Sequence, residues 1–134
     1  MTASRLPSRP RWALTALLAG VIALGLASRA VPLFPAVLES YPGDALWSVM
    51  VYVGLALLAP RVAPIRLGAL ALAISFSVEA LQLVRLPWLD AIRATLPGRL
   101  ALGSGFDPVD LLAYTVGVGL ALAGDLAWHR VRHR

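Results

Sequence analysis

The chain of 134 residues is 59% apolar and only 14% charged, with a formal net charge of +5. Soluble domains usually carry about 25% charged residues, so this composition indicates a chain surrounded largely by lipid. One bilayer crossing needs about 20 mostly apolar residues, so several crossings leave no room for a separate soluble domain. All Lys and Arg positions are arginines, and they lie near the predicted helix ends. Arginines at helix ends are typical of the orientation signal of membrane proteins, so they do not indicate nucleic-acid binding.

Ten prolines divide the chain, and the apolar runs between them are the candidate helices. The intervals predict an all-α membrane protein with four transmembrane helices in a single domain, 1–134. The predicted spans are about 12–28, 44–59, 67–84 and 109–128. A further short helix, interfacial or re-entrant, is predicted between the third and fourth spans.

The first predicted span follows a basic tail and could be mistaken for a signal peptide. Its apolar run is longer than the roughly 7–15 residues of such a segment, so we interpret it as a membrane span. The N-terminal tail, the 60–66 loop and the C-terminal tail hold eight of the 12 arginines. The positive-inside rule therefore predicts a multi-pass membrane protein with both termini cytoplasmic.

The third span contains a carboxylate within its apolar run. Glu79 and Gln82 are three residues apart and share one helix face with Ser75, four residues before Glu79. A carboxylate is expensive in hydrocarbon, so Glu79 is expected to face the interior of the bundle and either to pair with a cation or to stay protonated. Arg93 is the first expected partner.

The connection between the third and fourth spans, 85–108, is too long and apolar for a simple turn. Leu89, Ile92 and Leu96 recur at helical spacing, with Arg93 on another side. This spacing predicts a short amphipathic or re-entrant helix, with Trp88 at the level of the lipid headgroups.

The fourth span begins with polar residues at the same predicted outer side. Asp110, Tyr114, Gly117 and Ala121 form one stripe, and the small residues in it allow another helix to approach closely.

These patterns predict a polar site at the outer side of the membrane. Its proposed binding residues are Arg29, Asp44, Glu79, Gln82, Arg93, Asp110 and Tyr114. Asp44 and Asp110 lie at helix N-termini, where they are explained equally well as caps.

Other chemistry has weaker support in the sequence. His129 and His133 have i, i+4 spacing, but they lie in an arginine-rich tail and are interpreted as solvated positive charge rather than metal ligands. Asp125 is expected to pair with Arg130 or to reach water. Ser104 lies in GSGF, which lacks the strand–turn–helix setting of a nucleophile elbow. No metal and no cofactor are expected.

Five stretches of the chain form a distinctive series. They are SR at 28–29, GDALW at 43–47, SVEALQL at 77–83, PWLDAIRATLPGRLALGSGF at 87–106 and DLLAYTVG at 110–117. Their order resembles a bacterial membrane family named domain of unknown function 2809. The resemblance implies a small multi-helix protein of the inner membrane of a bacterium, with no assigned activity. A second similarity is to the VanZ-like membrane proteins associated with teicoplanin resistance. It rests on E-x-x-Q at 79–82 and D-x-x-x-Y-x-x-G at 110–117.

Three functions remain open at this point. The first is binding or transport of a polar or anionic group, such as a lipid headgroup or a cell-envelope precursor, in an outward-facing pocket. The second is a membrane enzyme acting on a lipid-linked substrate, with Glu79 or Asp110 as general base and arginines stabilising phosphate charge. The third is a structural or partner-binding protein without a ligand. Membrane lipids are the expected partners, and whether the protein is an enzyme stays open.

Overall fold

The structure is a computed structural model, and it describes residues 8–33, 35–38, 41–102 and 107–132. Six α-helices and one turn of 3₁₀ helix, Ala36–Leu38, make up the described chain. The helices are α1 (Arg11–Ala30), α2 (Tyr41–Leu58), α3 (Pro64–Leu81), α4 (Pro87–Ala94), α5 (Leu96–Leu102) and α6 (Pro108–Arg132).

Proline marks the start of five of these helices. Pro64, Pro87 and Pro108 are the first residues of α3, α4 and α6, and Pro42 and Pro97 are the second residues of α2 and α5. The first turn of a helix tolerates proline because its N–H groups have no partner within the helix. These five prolines therefore lie inside the helix starts, whereas Pro10, Pro32, Pro35 and Pro60 lie outside the helices, as the sequence analysis assumed for all ten.

Four of the helices are long and apolar enough to cross a membrane: α1, α2, α3 and α6. The predicted fold class, an all-α membrane protein with four spans, is confirmed. The helix ends differ by a few residues from the predicted spans. The largest difference is in α6, which continues to Arg132, four residues beyond the predicted end at 128.

The long helices pack around α2. It contacts α1, α3 and α6, and α3 also packs against α6. The shared core consists of Tyr52, Ala56, Leu67, Ala71 and Val118. Helix α1 has no buried residue, so most of its surface is left to face lipid.

Two short helices, α4 and α5, replace the single one predicted between the third and fourth spans. Thr95 ends α4 with an extended backbone, which separates it from α5. The predicted apolar face is also wrong. Leu89 and Arg93 are the buried residues of α4, whereas Ile92 and Leu96 are exposed. Arg93 is buried because it bonds backbone carbonyls at the end of α3.

The alternating helix directions give the bundle two ends. We call the end that carries the starts of α2 and α6 and the last turns of α1 and α3 the loop end. We call the opposite end, with the start of α1, the 59–63 turn and the last turns of α6, the termini end. Each end has its own group of polar side chains.

Candidate functional site

Glu79 lies at the centre of the polar residues of the loop end, and it is fully buried. One carboxylate oxygen, Oε1, accepts a hydrogen bond from the backbone N–H of Asp107 at 2.7 Å. The other, Oε2, accepts a hydrogen bond from the Tyr114 hydroxyl at 3.0 Å. Glu79 thus joins α3 to the start of α6. The prediction that Glu79 faces the interior of the bundle is confirmed.

The predicted pairing of Glu79 with Arg93 is wrong. Arg93 donates instead to the backbone carbonyls of Leu81 and Val84, with N···O distances of 2.5 and 2.9 Å, and contacts Asp90 at 3.3 Å. The last carbonyls of a helix lack partners within the helix and attract a cation. The carbonyls at the C-terminus of α3 therefore bind the Arg93 guanidinium, in place of the predicted pairing with Glu79.

Asp107 is a site residue that the sequence analysis missed. Its Oδ1 accepts a hydrogen bond from the N–H of Val109 at 3.0 Å, which makes Asp107 the cap of α6. Its Oδ2 accepts a hydrogen bond from the Tyr41 hydroxyl at 3.0 Å. An Asp directly before a proline that begins an apolar run is a recognisable helix-start signal, and it identifies this cap in the sequence.

Asp44 and Asp110 lie beside Glu79 at the starts of α2 and α6. Helices α2 and α6 pack against each other, so these two carboxyl groups are close enough to repel one another when both are ionised. An Arg29 guanidinium nitrogen is 3.7 Å from Oδ1 of Asp44. Arg29 is itself about 40% exposed, so this ion pair lies at the edge of the group.

We call Asp44, Glu79, Asp107, Asp110 and Tyr114 the loop-end cluster. Four of the seven predicted binding residues belong to it, and Arg29 borders it. Gln82 is buried at the end of α3, and Arg93 lies apart, on α4.

Ser75 is also fully buried, on the same face of α3 as Glu79 and one turn away from it. Within the described part of the chain its hydroxyl has no hydrogen-bond partner. A buried polar group without a partner is rare and calls for an explanation.

Close packing of α2 and α6 positions the cluster. Gly117 lies against α2, and a Cβ at this position would overlap Ser48 Oγ and the carbonyl oxygen of Ala45. Three residues before Gly117, the Tyr114 ring contacts Trp47 of α2, with ring centroids 5.6 Å apart. The predicted close approach of another helix at Gly117 is confirmed.

The termini end has a second polar group, which the sequence analysis did not predict. Arg9 donates two hydrogen bonds to the carboxylate of Asp125, at 2.8 and 2.7 Å. It donates two more to the carbonyls of Pro60 and Val62. The Tyr52 hydroxyl donates to Asp125 as well. The expected partners of Asp125, Arg130 or water, are therefore wrong.

His129 belongs to this second group. Its Nδ1 lies 2.9 Å from the backbone oxygen of Asp125, and the side chain is buried. Its interpretation as a solvated tail residue is wrong, because α6 continues past it and holds it against Asp125. His133 and Ser104 lie outside the described residues.

The helices and their polar ends define a class of protein: a small multi-pass α-helical membrane protein with a carboxylate-rich cluster at one end of the bundle. The family described as "Protein of unknown function (DUF2809)" matches residues 33–118. The match covers more than half of the chain, and the protein belongs to this family. No solved structure matches the chain. The similarity to VanZ-like proteins stays a prediction.

Proposed function

We propose that the protein binds a positively charged group at the loop-end cluster, and that in the membrane this group is the ammonium of a lipid headgroup. The observation that carries the proposal is the charge of the cluster. Asp44 and Asp110 lie in the first turns of α2 and α6, which pack together, and Glu79 bonds the backbone directly before α6. In the described chain Arg29 is the arginine that forms an ion pair with one of these three acids.

Such an excess of carboxyl groups is costly where the surroundings are poor in water. Like charges at close range each destabilise the other, and in a membrane span an unpaired carboxylate needs a proton or a cation. The Arg29 guanidinium offsets one of these charges. A bound ammonium group would neutralise a further charge and would supply hydrogen-bond donors that the carboxylates lack.

Ser75 gives independent support to a ligand at this end. Its hydroxyl is fully buried one helical turn from Glu79 and lacks a partner among the described residues. A hydroxyl can both donate and accept a hydrogen bond. We infer that it serves a bound polar group or the water that accompanies one.

The contacts of the charged residues at the loop end change which of the three functions is best supported. From the sequence, an anionic ligand was favoured by four arginines: Arg29, Arg85, Arg93 and Arg99. In the structure, however, Arg93 bonds the end of α3, and a guanidinium nitrogen of Arg85 lies 3.7 Å from Asp90 Oδ1. The same distribution weakens the enzyme hypothesis, which required arginines beside Glu79 or Asp110. A purely structural role is favoured by one observation: both oxygens of Glu79 bond groups of α6.

We further propose that both termini are cytoplasmic, in the inner membrane of a bacterium. The loop end would then face outward. Support comes from the eight arginines of the tails and the 60–66 loop.

Neutral variants of the cluster test the proposed function. The double variant Asp44→Asn with Asp110→Asn keeps hydrogen-bonding side chains but removes both acidic groups. Asp90→Asn removes a half-buried acid of the same end, outside the cluster, as a control. The measurement is the rise in Tm of the purified protein in detergent when phosphatidylethanolamine is added. A ligand that binds the folded protein raises Tm as its concentration exceeds Kd.

The wild type and Asp90→Asn should show this rise, and the double variant should lose it. The double variant should also be at least as stable as the wild type without lipid, because repulsion between the carboxyl groups has been removed. An equal rise in all three proteins would overturn the proposal and favour the structural role.

A further inference from the structure

A groove runs between α1, α2 and α6 at the termini end. Its volume is about 450 Å³, within the range of about 300–1,000 Å³ that is usual for ligand sites. Helix α2 forms its floor, and Leu17 of α1 and Leu120 of α6 line opposite sides. Both α1 and α6 pack on α2, and the groove is the space that separates them.

The groove lies within the membrane. Its lining runs along α6 from Trp128 to Leu120, a rise of about 12 Å at 1.5 Å per residue. This depth is less than half of a hydrocarbon layer of about 30 Å, so the groove belongs to the leaflet at the termini end. The medium at its open side is hydrocarbon, and an acyl chain is the occupant that restores the dispersion contacts of its walls.

The polar end of the groove is closed by groups that are already paired. Arg9, Tyr52 and Asp125 line it. The guanidinium of Arg9 donates to Asp125 and to two backbone carbonyls. This part of the groove is therefore neutral and does not recognise a headgroup by itself.

Exposed arginines lie beside this closed end. Arg132 is stacked on the ring of Trp128, with its Cζ 5.4 Å from the ring centroid, and Trp128 lines the groove. Arg11 is exposed and directly follows Pro10, another lining residue. The described residues of the termini end contain one acid, Asp125, against six arginines: Arg9, Arg11, Arg61, Arg66, Arg130 and Arg132. A negatively charged headgroup complements this end.

We propose that the groove binds an anionic phospholipid. One acyl chain lies between α1 and α6, and the phosphate contacts Arg11 and Arg132. This site is separate from the loop-end cluster and does not depend on it.

A pair of glycine variants tests the acyl-chain site. Gly124 lines the groove, and a Cβ added there would meet nothing within 4 Å. Gly119 lies on the same helix with equally open space but does not line the groove. Gly124→Leu therefore fills the groove, and Gly119→Leu makes the same chemical change outside it. The probe is phosphatidylglycerol added to the purified protein, and native mass spectrometry gives its apparent Kd.

Gly124→Leu should weaken phosphatidylglycerol binding about tenfold, since a leucine takes the place of acyl methylenes, whereas Gly119→Leu should leave it unchanged. Replacing one exposed arginine of the site, as in Arg11→Gln or Arg132→Gln, should weaken binding about fivefold. Arg66→Gln removes the same charge on α3, away from the groove, and should have a smaller effect.

Equal binding by the two leucine variants would overturn the acyl-chain site, and equal effects of all three arginine variants would overturn the headgroup contacts. A change of oligomeric mass in Gly124→Leu would show that a second copy of the chain, and not a lipid, fills the groove. None of these variants alters the loop-end cluster, so their outcome is independent of the phosphatidylethanolamine test.

Discussion

Glu79 shows how a buried carboxylate is held in a membrane helix without an ion pair to any arginine that the structure describes. Its two oxygens accept hydrogen bonds from the backbone of Asp107 and from the Tyr114 hydroxyl. The sequence predicts burial of Glu79 correctly, because exposure to lipid would be costly. It does not predict the partners, because the N–H of Asp107 becomes a free donor only when Asp107 precedes the first turn of α6.

Two substitutions of Glu79 separate hydrogen bonding from charge. Glu79→Gln preserves the shape of the side chain and can form hydrogen bonds with both the Asp107 N–H and the Tyr114 hydroxyl. It should therefore change the free energy of unfolding little. Glu79→Ala leaves an N–H and a hydroxyl unpaired, at about 1–3 kcal/mol each, and should destabilise by about 2–6 kcal/mol. The measurement is reversible unfolding in mixed micelles, with the exposed Ser77→Ala as control. Equal losses for Gln and Ala would mean that the negative charge itself stabilises the fold.

Gly117 sets the distance between α2 and α6. The Cβ of Gly117→Ala would meet the backbone carbonyl of Ala45 and Ser48 Oγ, so the helices must separate. We expect destabilisation of about 1–3 kcal/mol despite the better helix propensity of alanine. Gly119→Ala, where the space is open, should be neutral or stabilising. Similar Tm values for the two variants in detergent would contradict the proposed close contact.

At the scale of the helices, the sequence analysis did not predict the ion pair at the termini end. Arg9 and Asp125 are 116 positions apart. From the sequence, Arg9 was counted only as a charge of the N-terminal tail, and Asp125 was expected to pair with Arg130 or to reach water. In the structure, α6 extends to Arg132 and the chain before α1 folds against the 60–62 turn. The ion pair depends on both features, and neither has a local sequence signal.

The pair between Arg9 and Asp125 should stabilise the attachment of the N-terminal segment to α6. Asp125→Ala leaves a buried guanidinium without its counter-ion and should cost about 3–5 kcal/mol in the free energy of unfolding. The double variant Arg9→Met with Asp125→Leu should recover most of this loss, because no buried charge remains. Arg11→Ala, at an exposed position, is the control and should stay within about 0.5 kcal/mol. If Asp125→Ala is as stable as the control, the pair is not buried in solution.

At the scale of the whole molecule, composition and proline spacing were sufficient to predict the four spans. Apolar runs long enough to cross a bilayer are visible in the sequence, and proline marks where helices begin. The sequence favoured an anionic ligand at the loop end, whereas the contacts of the described arginines favour a cationic one. The sequence shows the arginines of the 85–108 connection, but not that Arg93 is engaged by the carbonyls of α3.

The orientation of the molecule can be tested by single cysteines, since the chain contains none. We expect Ser8→Cys to be unreactive toward a membrane-impermeant thiol reagent in intact bacterial cells and reactive after the membrane is opened. Thr95→Cys, in the exposed turn between α4 and α5, should react in intact cells. The opposite pattern would reverse the proposed orientation and place the loop-end cluster at the cytoplasmic side.

The most direct test of the loop-end site is the apparent Kd for phosphatidylethanolamine, measured by native mass spectrometry on the wild type, on Asp44→Asn with Asp110→Asn, and on Gly124→Leu. If the cluster binds an ammonium group, the double variant should bind this lipid at least about tenfold more weakly, a difference of about 1.4 kcal/mol. Gly124→Leu should bind it as the wild type does. Wild-type affinity in the double variant, with its fold intact, would contradict the proposed function.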